Sequence, residues 1–297
     1  MITRTQHEIA IRFGSVVGTM KVRVWSPSDD APVLFCLPGF IGHIGSEYCF
    51  IADHLARNGY KVVVPDLIGR GESTYFGRKE VYSPRNIMYA LHAVISAFPG
   101  RSRFLMGTSW GGIMSIMYVQ AFRERFQGLV LNDIPVTNGG TNIEFRDHLI
   151  AMCNAEFDSL DEAARWGHDL LDNTLGPLPA NLDSRFFGEH YVRKAGSRFR
   201  YKIDPVIAEV IRDNVATRFD LTDSILGMNC PVAMLYGIDS WHRDAANIAS
   251  FRKGGPDITI FDSLVGKHPP LLATRDQHMI VQGFLDYAGN KAKIGVS

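Results

Sequence analysis

Ser109 stands in Gly107-Thr108-Ser109-Trp110-Gly111, after the apolar run Phe104-Leu105-Met106 and before the helix-forming run Ile113 to Phe122. A serine hydroxyl is a weak nucleophile until a neighbouring base takes its proton and a third group orients that base. It must also stand clear of the backbone, in a tight strand-to-helix turn. Small residues at Gly107 and Gly111 let neighbouring chain pass close to such a turn. A helix starting near Trp110 turns free N–H groups and the positive end of its dipole toward developing negative charge. The spacing therefore predicts a nucleophile elbow at Ser109. The competing reading is a glycine-rich turn that happens to contain a serine.

The elements around Ser109 follow from the hydrophobic pattern. Residues 7–13 and 19–26 alternate apolar with polar, as in a half-exposed antiparallel hairpin at a sheet edge. Residues 32–37 are continuously apolar, which fits a strand buried on both faces. Lys61 to Asp66, Phe104 to Met106 and Leu129 to Asp133 read as further strands. Between them lie a helix from Glu47 to Asn58, closed by Gly59, and another from the N-cap Ser83 and Pro84 to about Phe98. Strand and helix alternate, so the fold class is α/β, with a mostly parallel central sheet flanked by helices.

Residues 138–220 break this rhythm with helical segments at Ile143–Met152, Leu160–Leu171 and Pro205–Val215 and no credible buried strand. They are expected to form a helical cap inserted into a core made of residues 1–137 and 221–297. The alternation resumes at Val232 to Tyr236, with a helix from about Arg243, a short strand Ile258–Phe261 and a last helix near Gln277–Ala288. Asn290 to Ser297 reads as a disordered tail.

With 31 basic and 31 acidic residues the chain carries no net charge, which gives no electrostatic reason to expect nucleic acid or an anionic membrane as partner. No signal peptide or run of about twenty apolar residues is visible, so the expectation is a soluble, cytoplasmic protein, monomeric or homodimeric, acting on a small molecule. The four cysteines are widely spaced with no C-x-x-C pair, which suggests buried free thiols and neither a zinc site nor a disulfide framework.

Three motifs join the elbow: Leu37-Pro38-Gly39-Phe40 at the end of a buried strand, the turn Asp66-Leu67-Ile68-Gly69-Arg70-Gly71-Glu72-Ser73, and a late Gly266-Lys267-His268-Pro269-Pro270. Taken in order, they make nearly the whole chain resemble the α/β-hydrolase family. The resemblance implies a catalytic triad in the order nucleophile, acid, histidine. Ser109 then matches the nucleophile and His268 the base, while His278 falls inside a helical pattern and the other eight histidines carry no motif. The acid stays open between two positions. Asp239 follows the strand after the cap, but the commoner spacing places the acid three residues beyond Gly237, where this chain has Ser240. Asp133 follows the strand next to the elbow, a position some family members use, and it is preferred. Each also has a plain reading as a turn or helix cap. For the oxyanion, the family pattern points to the N–H groups of Trp110 and Phe40, with Pro38 standing where a histidine is usual.

Phe186, Phe187, Tyr191, Phe199, Tyr201 and Trp166 of the cap are candidates to line an apolar pocket, and Arg193, Lys194, Arg198, Arg200 and Lys202 to meet an acidic group. A basic run of this kind more often forms a solvated surface. The expected activity is a serine esterase-like hydrolysis of a small ester, lactone or related acyl compound, with no metal or organic cofactor. Serine at the elbow argues against dehalogenase or epoxide hydrolase chemistry. The Ser-Trp-Gly elbow is similar to that of proline iminopeptidases, but their His-Gly-Gly-Pro-Gly loop is absent. Amide or carbon–carbon bond hydrolysis, a ligand receptor and a cofactor-free oxygenase on the same fold are the alternatives.

Overall fold

Strand β3 (Val33–Leu37) shows why the sheet is buried on both sides: Val33, Phe35 and Leu37 pack into one apolar cluster, and Leu34 and Cys36 into another. Successive side chains on a strand point to opposite faces, so a continuously apolar run needs cover above and below. A computed structural model of the chain describes residues 1–42, 48–137, 143–175, 183–213, 219–254 and 257–294. The strands before and after β3 are β1 (Thr3–Phe13), β2 (Val16–Ser26), β4 (Lys61–Pro65), β5 (Arg103–Thr108) and β6 (Gly128–Asn132). Then come β7 (Val192–Ala195), β8 (Arg198–Tyr201), β9 (Val232–Gly237) and β10 (Ile258–Leu264).

One eight-stranded sheet runs in the order β1-β2-β4-β3-β5-β6-β9-β10. The hairpin β1–β2 joins β4 antiparallel, and every pairing from β4 to β10 is parallel. Helices α1 (Cys49–Arg57) and α10 (Arg275–Ile294) bury Ile51, Leu55, Val281 and Leu285 in the cluster on one face. On the other face α2 (Pro84–Ala97) and α3 (Trp110–Phe122) bury Ile87, Leu91, Val94 and Ile116. Ser83 caps α2, its hydroxyl accepting from the Asn86 N–H at 3.4 Å. The expected α1 start at Glu47 lies outside the described residues, and the helix begins at Cys49.

Between β6 and β9 the chain leaves the sheet. Thr137 and Asp220 form an antiparallel bridge, and Leu221 N–H donates to Val136 O at 2.9 Å, so the two ends of the excursion are tied together. It contains α4 (Ile143–Asn154), α5 (Leu160–Leu175), α6 (Ser184–Tyr191) and α7 (Ile207–Asp213). The expected helices are joined by one further element: β7 and β8 form a two-stranded antiparallel hairpin inside it. Each strand is only four residues long and rich in Arg and Lys, so neither shows the apolar run of a buried strand. A short α8 (Thr222–Leu226) follows, and α9 (Ala245–Gly254) connects β9 to β10.

The tail is corrected. Helix α10 continues through Asn290 to Ile294, with only 295–297 outside the described residues. Val281, Phe284, Leu285 and Ala288 hold one face down, and Lys291 pairs with Asp257. Two lysines in the last turn also suit the negative end of the helix dipole.

The β5–α3 turn depends on its glycines. A Cβ on Gly107 would stand 2.4 Å from Gly111 O, and one on Gly111 would stand 2.2 Å from Leu37 O. Both obstacles are backbone, which cannot swing aside. Gly111→Ala is expected to destabilise the fold by about 3 kcal/mol, at the upper end of overpacking costs, and to push residues 37–40 away from the elbow. A urea melt coinciding with wild type would contradict this packing.

Candidate active site

Ser109 is held in a backbone conformation that only its surroundings can enforce, with φ 51° and ψ −118°. Such a left-handed φ on a non-glycine residue stores of order 1 to 3 kcal/mol. The restraints are hydrogen bonds: Ser109 N–H donates to Asn132 O at 2.8 Å, and Ser109 O accepts from Gly112 and Ile113 N–H at 3.0 and 3.2 Å. Trp110 is the first residue of α3, so its N–H belongs to the turn that has no intrahelical acceptor.

The hydroxyl meets a base. Ser109 Oγ lies 2.9 Å from His268 Nε2, across 159 residues of sequence. On the far side of the ring, His268 Nδ1 faces Asp133 Oδ1 at 3.7 Å, and both side chains are almost wholly buried. That distance exceeds a hydrogen bond, and among the described residues the buried Nδ1 has no hydrogen-bond partner. Asp133 sits just after β6 with φ 53°. Asp239 is exposed, with its backbone N–H directed to Gly266 O. His278 is engaged elsewhere, its Nε2 lying 2.7 Å from Leu272 O.

One buried network fixes the segments that carry these groups. Tyr48 OH donates to Leu37 O at 3.0 Å and lies 2.8 Å from Thr108 Oγ1. The Asn132 amide reaches Thr108 Oγ1 at 3.2 Å and Pro270 O at 3.0 Å. Thr108 precedes Ser109, Asn132 precedes Asp133, and Pro270 follows His268 by two residues. The ends of β3, β5 and β6 are thus tied to each other and to the loop that carries His268.

Phe40 packs edge-to-face on Trp110, with ring centroids 5.6 Å apart. The Arg70 guanidinium covers both rings, at 4.6 and 5.4 Å from their centroids. Its Nε donates to Phe40 O at 3.0 Å and its Nη1 to Ile68 O at 3.0 Å. Arg70 is 2% exposed, and burial pushes it down to about 10. The residue therefore clamps the Phe40 carbonyl while its charge rests on two aromatic faces.

Three residues near His268 carried no motif in the sequence. Phe145 of α4 lies edge-on at 5.7 Å, Trp241 at 4.9 Å and His242 edge-on at 4.3 Å. The signal for the last two was their place just after Gly237, at the end of β9. Burial pushes the His242 imidazole down to about 2, and the adjacent His268 ring adds to the effect. With a folded value near 2 and an ordinary one of 6.5, the unfolded chain binds one more proton between them. Stability therefore rises with pH through this window, by about 1.4 kcal/mol per unit. His242→Gln should lose about 2 kcal/mol less than wild type between pH 6.5 and 5, read from urea midpoints. Equal losses would contradict the half-buried, neutral imidazole.

Several of the cap aromatics are engaged in packing. Phe187, Tyr191 and Tyr201 are buried in the core, and Tyr201 OH donates to Ala163 O at 2.6 Å. Trp166 packs between Phe157 and Tyr201. The basic run is largely spent inside the chain: Arg198 on Asp158, Arg200 on Glu156, Lys202 on Glu72, and Arg193 over the Tyr75 ring. Lys194 is exposed.

The sequence profile of the alpha/beta hydrolase fold matches residues 32–209, more than half of the chain, and the chain belongs to that family. Among curated proteins, a proline iminopeptidase of Lactobacillus helveticus (strain DPC 4571) is 29% identical over 113 residues, covering 37% of this chain and only 38% of that protein. An alpha/beta hydrolase from Novosphingobium aromaticivorans DSM 12444 superposes with a TM-score of 0.74 at 20% identity, over 95% of this chain and 98% of the other. An esterase from Rhodococcus sp. ECU1013 does so with a TM-score of 0.70 at 18% identity, over 95% and 98%. At these identities the two structures speak for the fold.

Among the described residues no helix is long and apolar enough to cross a membrane. Cys36 and Cys153 are buried and Cys49 and Cys230 half-buried, all four outside any disulfide.

Proposed function

We propose that the protein is a serine hydrolase that cleaves the ester, lactone or related acyl bond of a small molecule through an acyl-enzyme. The observation that carries this reading is the 2.9 Å contact between Ser109 Oγ and His268 Nε2, made by a serine in a strained strand-to-helix turn. In this reading Ser109 Oγ attacks the substrate carbonyl as His268 Nε2 takes its proton. Asp133 stabilises the imidazolium, and the Nδ1–Oδ1 distance shortens as positive charge develops on the ring. The N–H groups of Trp110 and Phe40 receive the oxyanion, and the Arg70 clamp on Phe40 keeps that loop in place. His268 then gives its proton to the leaving alkoxide. Water, deprotonated by the same imidazole, releases the acid and restores Ser109.

The rings of Phe40, Trp110, Phe145 and Trp241 around the pair Ser109–His268 favour an apolar acyl or alcohol group. Residues 138–220 act as a cap in this account, since Phe145 of α4 meets the His268 ring. The esterase among the structural neighbours agrees with an ester substrate, while the partial relative is an iminopeptidase. A panel of p-nitrophenyl esters, matched anilides and a prolyl arylamide separates the two. The esters should be turned over with the highest kcat/KM. Preference for the prolyl arylamide would replace the ester reading by an aminopeptidase.

A further inference from the structure

Asp133 is fully buried, so its carboxylate needs close donors. His268 Nδ1 is too far at 3.7 Å, and the Gly237 N–H reaches Oδ2 only at 3.5 Å. The short bond comes from Ser240, whose Oγ donates to Asp133 Oδ1 at 2.6 Å. We propose that Ser240 is a positioning residue for the reaction: its hydroxyl holds the Asp133 carboxylate turned toward His268. This rests on the hydrolase reading above, because it assigns Asp133 the role of orienting the base.

Two features give the hydroxyl a fixed direction. The His242 N–H donates to Ser240 Oγ at 3.0 Å, so the hydroxyl accepts from one side and its own hydrogen is directed at Asp133. Ser240 N–H in turn donates to Gly237 O at 3.1 Å, which closes the turn after β9. That turn also sets the position of His268. A Cβ on Gly237 would stand 2.3 Å from both Gly266 O and Lys267 O, and Ile238 N–H donates to Leu264 O at 2.8 Å. One turn therefore carries the serine that orients the acid and supports the loop that carries the base. Since Ser240 Oγ and Asp133 Oδ1 are 2.6 Å apart, an aspartate introduced at position 240 of an Asp133→Ala chain would bring a carboxylate to within about one hydrogen-bond length of the lost one.

The experiment compares wild type, Ser240→Ala, Ser240→Thr, Asp133→Ala and the double variant Asp133→Ala/Ser240→Asp. For each, kcat and KM on a p-nitrophenyl ester are measured with the proton NMR signal of the His268 ring, which reports the surroundings of the imidazole without any substrate. Ser240→Ala should lower kcat about tenfold with KM nearly unchanged and should shift or broaden the proton signal, as expected for loss of one hydrogen bond to a charged group. Ser240→Thr, which keeps the hydroxyl, should restore both, and the double variant should regain at least about tenfold in kcat over Asp133→Ala. A wild-type kcat and an unmoved proton signal in Ser240→Ala would overturn the proposal, as would a Ser240→Thr variant no better than alanine. A wild type that turns over no ester, yet shows these changes in the proton signal, would count against the hydrolase reading and leave the positioning by Ser240 standing.

Discussion

Replacing Ser109 with alanine should lower kcat on an activated ester by about a million-fold, because nucleophile and base act as one unit and either is useless alone. Ser109→Gly should be equally inactive and, in addition, more stable than wild type by about 1 kcal/mol. Its φ of 51° and ψ of −118° are held against the preference of an L-residue, and glycine releases that cost. Kinetics on both variants, with urea melts in parallel, test the two halves of the statement. An inactive but destabilised Ser109→Gly would mean that the elbow stores no strain, and a Ser109→Ala variant with substantial turnover would place the nucleophile elsewhere.

The acid gives the second large effect. Asp133→Asn keeps the shape of the side chain but removes the charge that faces His268 Nδ1, and kcat should fall about ten thousand-fold. Asp239→Asn should stay within about twofold of wild type, as surface changes away from a partner usually have small effects. Asp239 is exposed, whereas Asp133 lies 3.7 Å from the ring in the interior. The reverse pattern, with Asp239→Asn inactive and Asp133→Asn active, would show that the turn after β9 rearranges to bring Asp239 inward.

Local chemistry explains what could be read from the chain alone. The apolar run of β3, the alternation in β1 and β2 and the glycines around Ser109 each impose their conformation within a few residues, and all appear where the pattern places them. The hairpin β7–β8 escaped because four-residue strands rich in arginine carry no buried face to betray them. The last turn of α10 escaped because its lysines look like a solvated tail until Asp257 is seen beside Lys291. The choice between two acids turns on which strand end faces His268, a relation between β6, β9 and the loop after β10 that no window of sequence contains. His242 is the same kind of case: its place just after Gly237 is its one mark in the sequence, and only the fold brings its ring against His268. The cap aromatics are a different case. Large rings near a site suggest a pocket, but Tyr201 and Phe187 are consumed in packing the excursion against itself.

Activation of Ser109 by His268 is tested most directly by labelling the folded wild-type protein with a fluorophosphonate, read by intact mass and peptide mapping. The account predicts a single adduct on the peptide containing Ser109, absent in Ser109→Ala and formed far more slowly in His268→Ala. No adduct on the folded wild type, or one that forms at the same rate without His268, would contradict it.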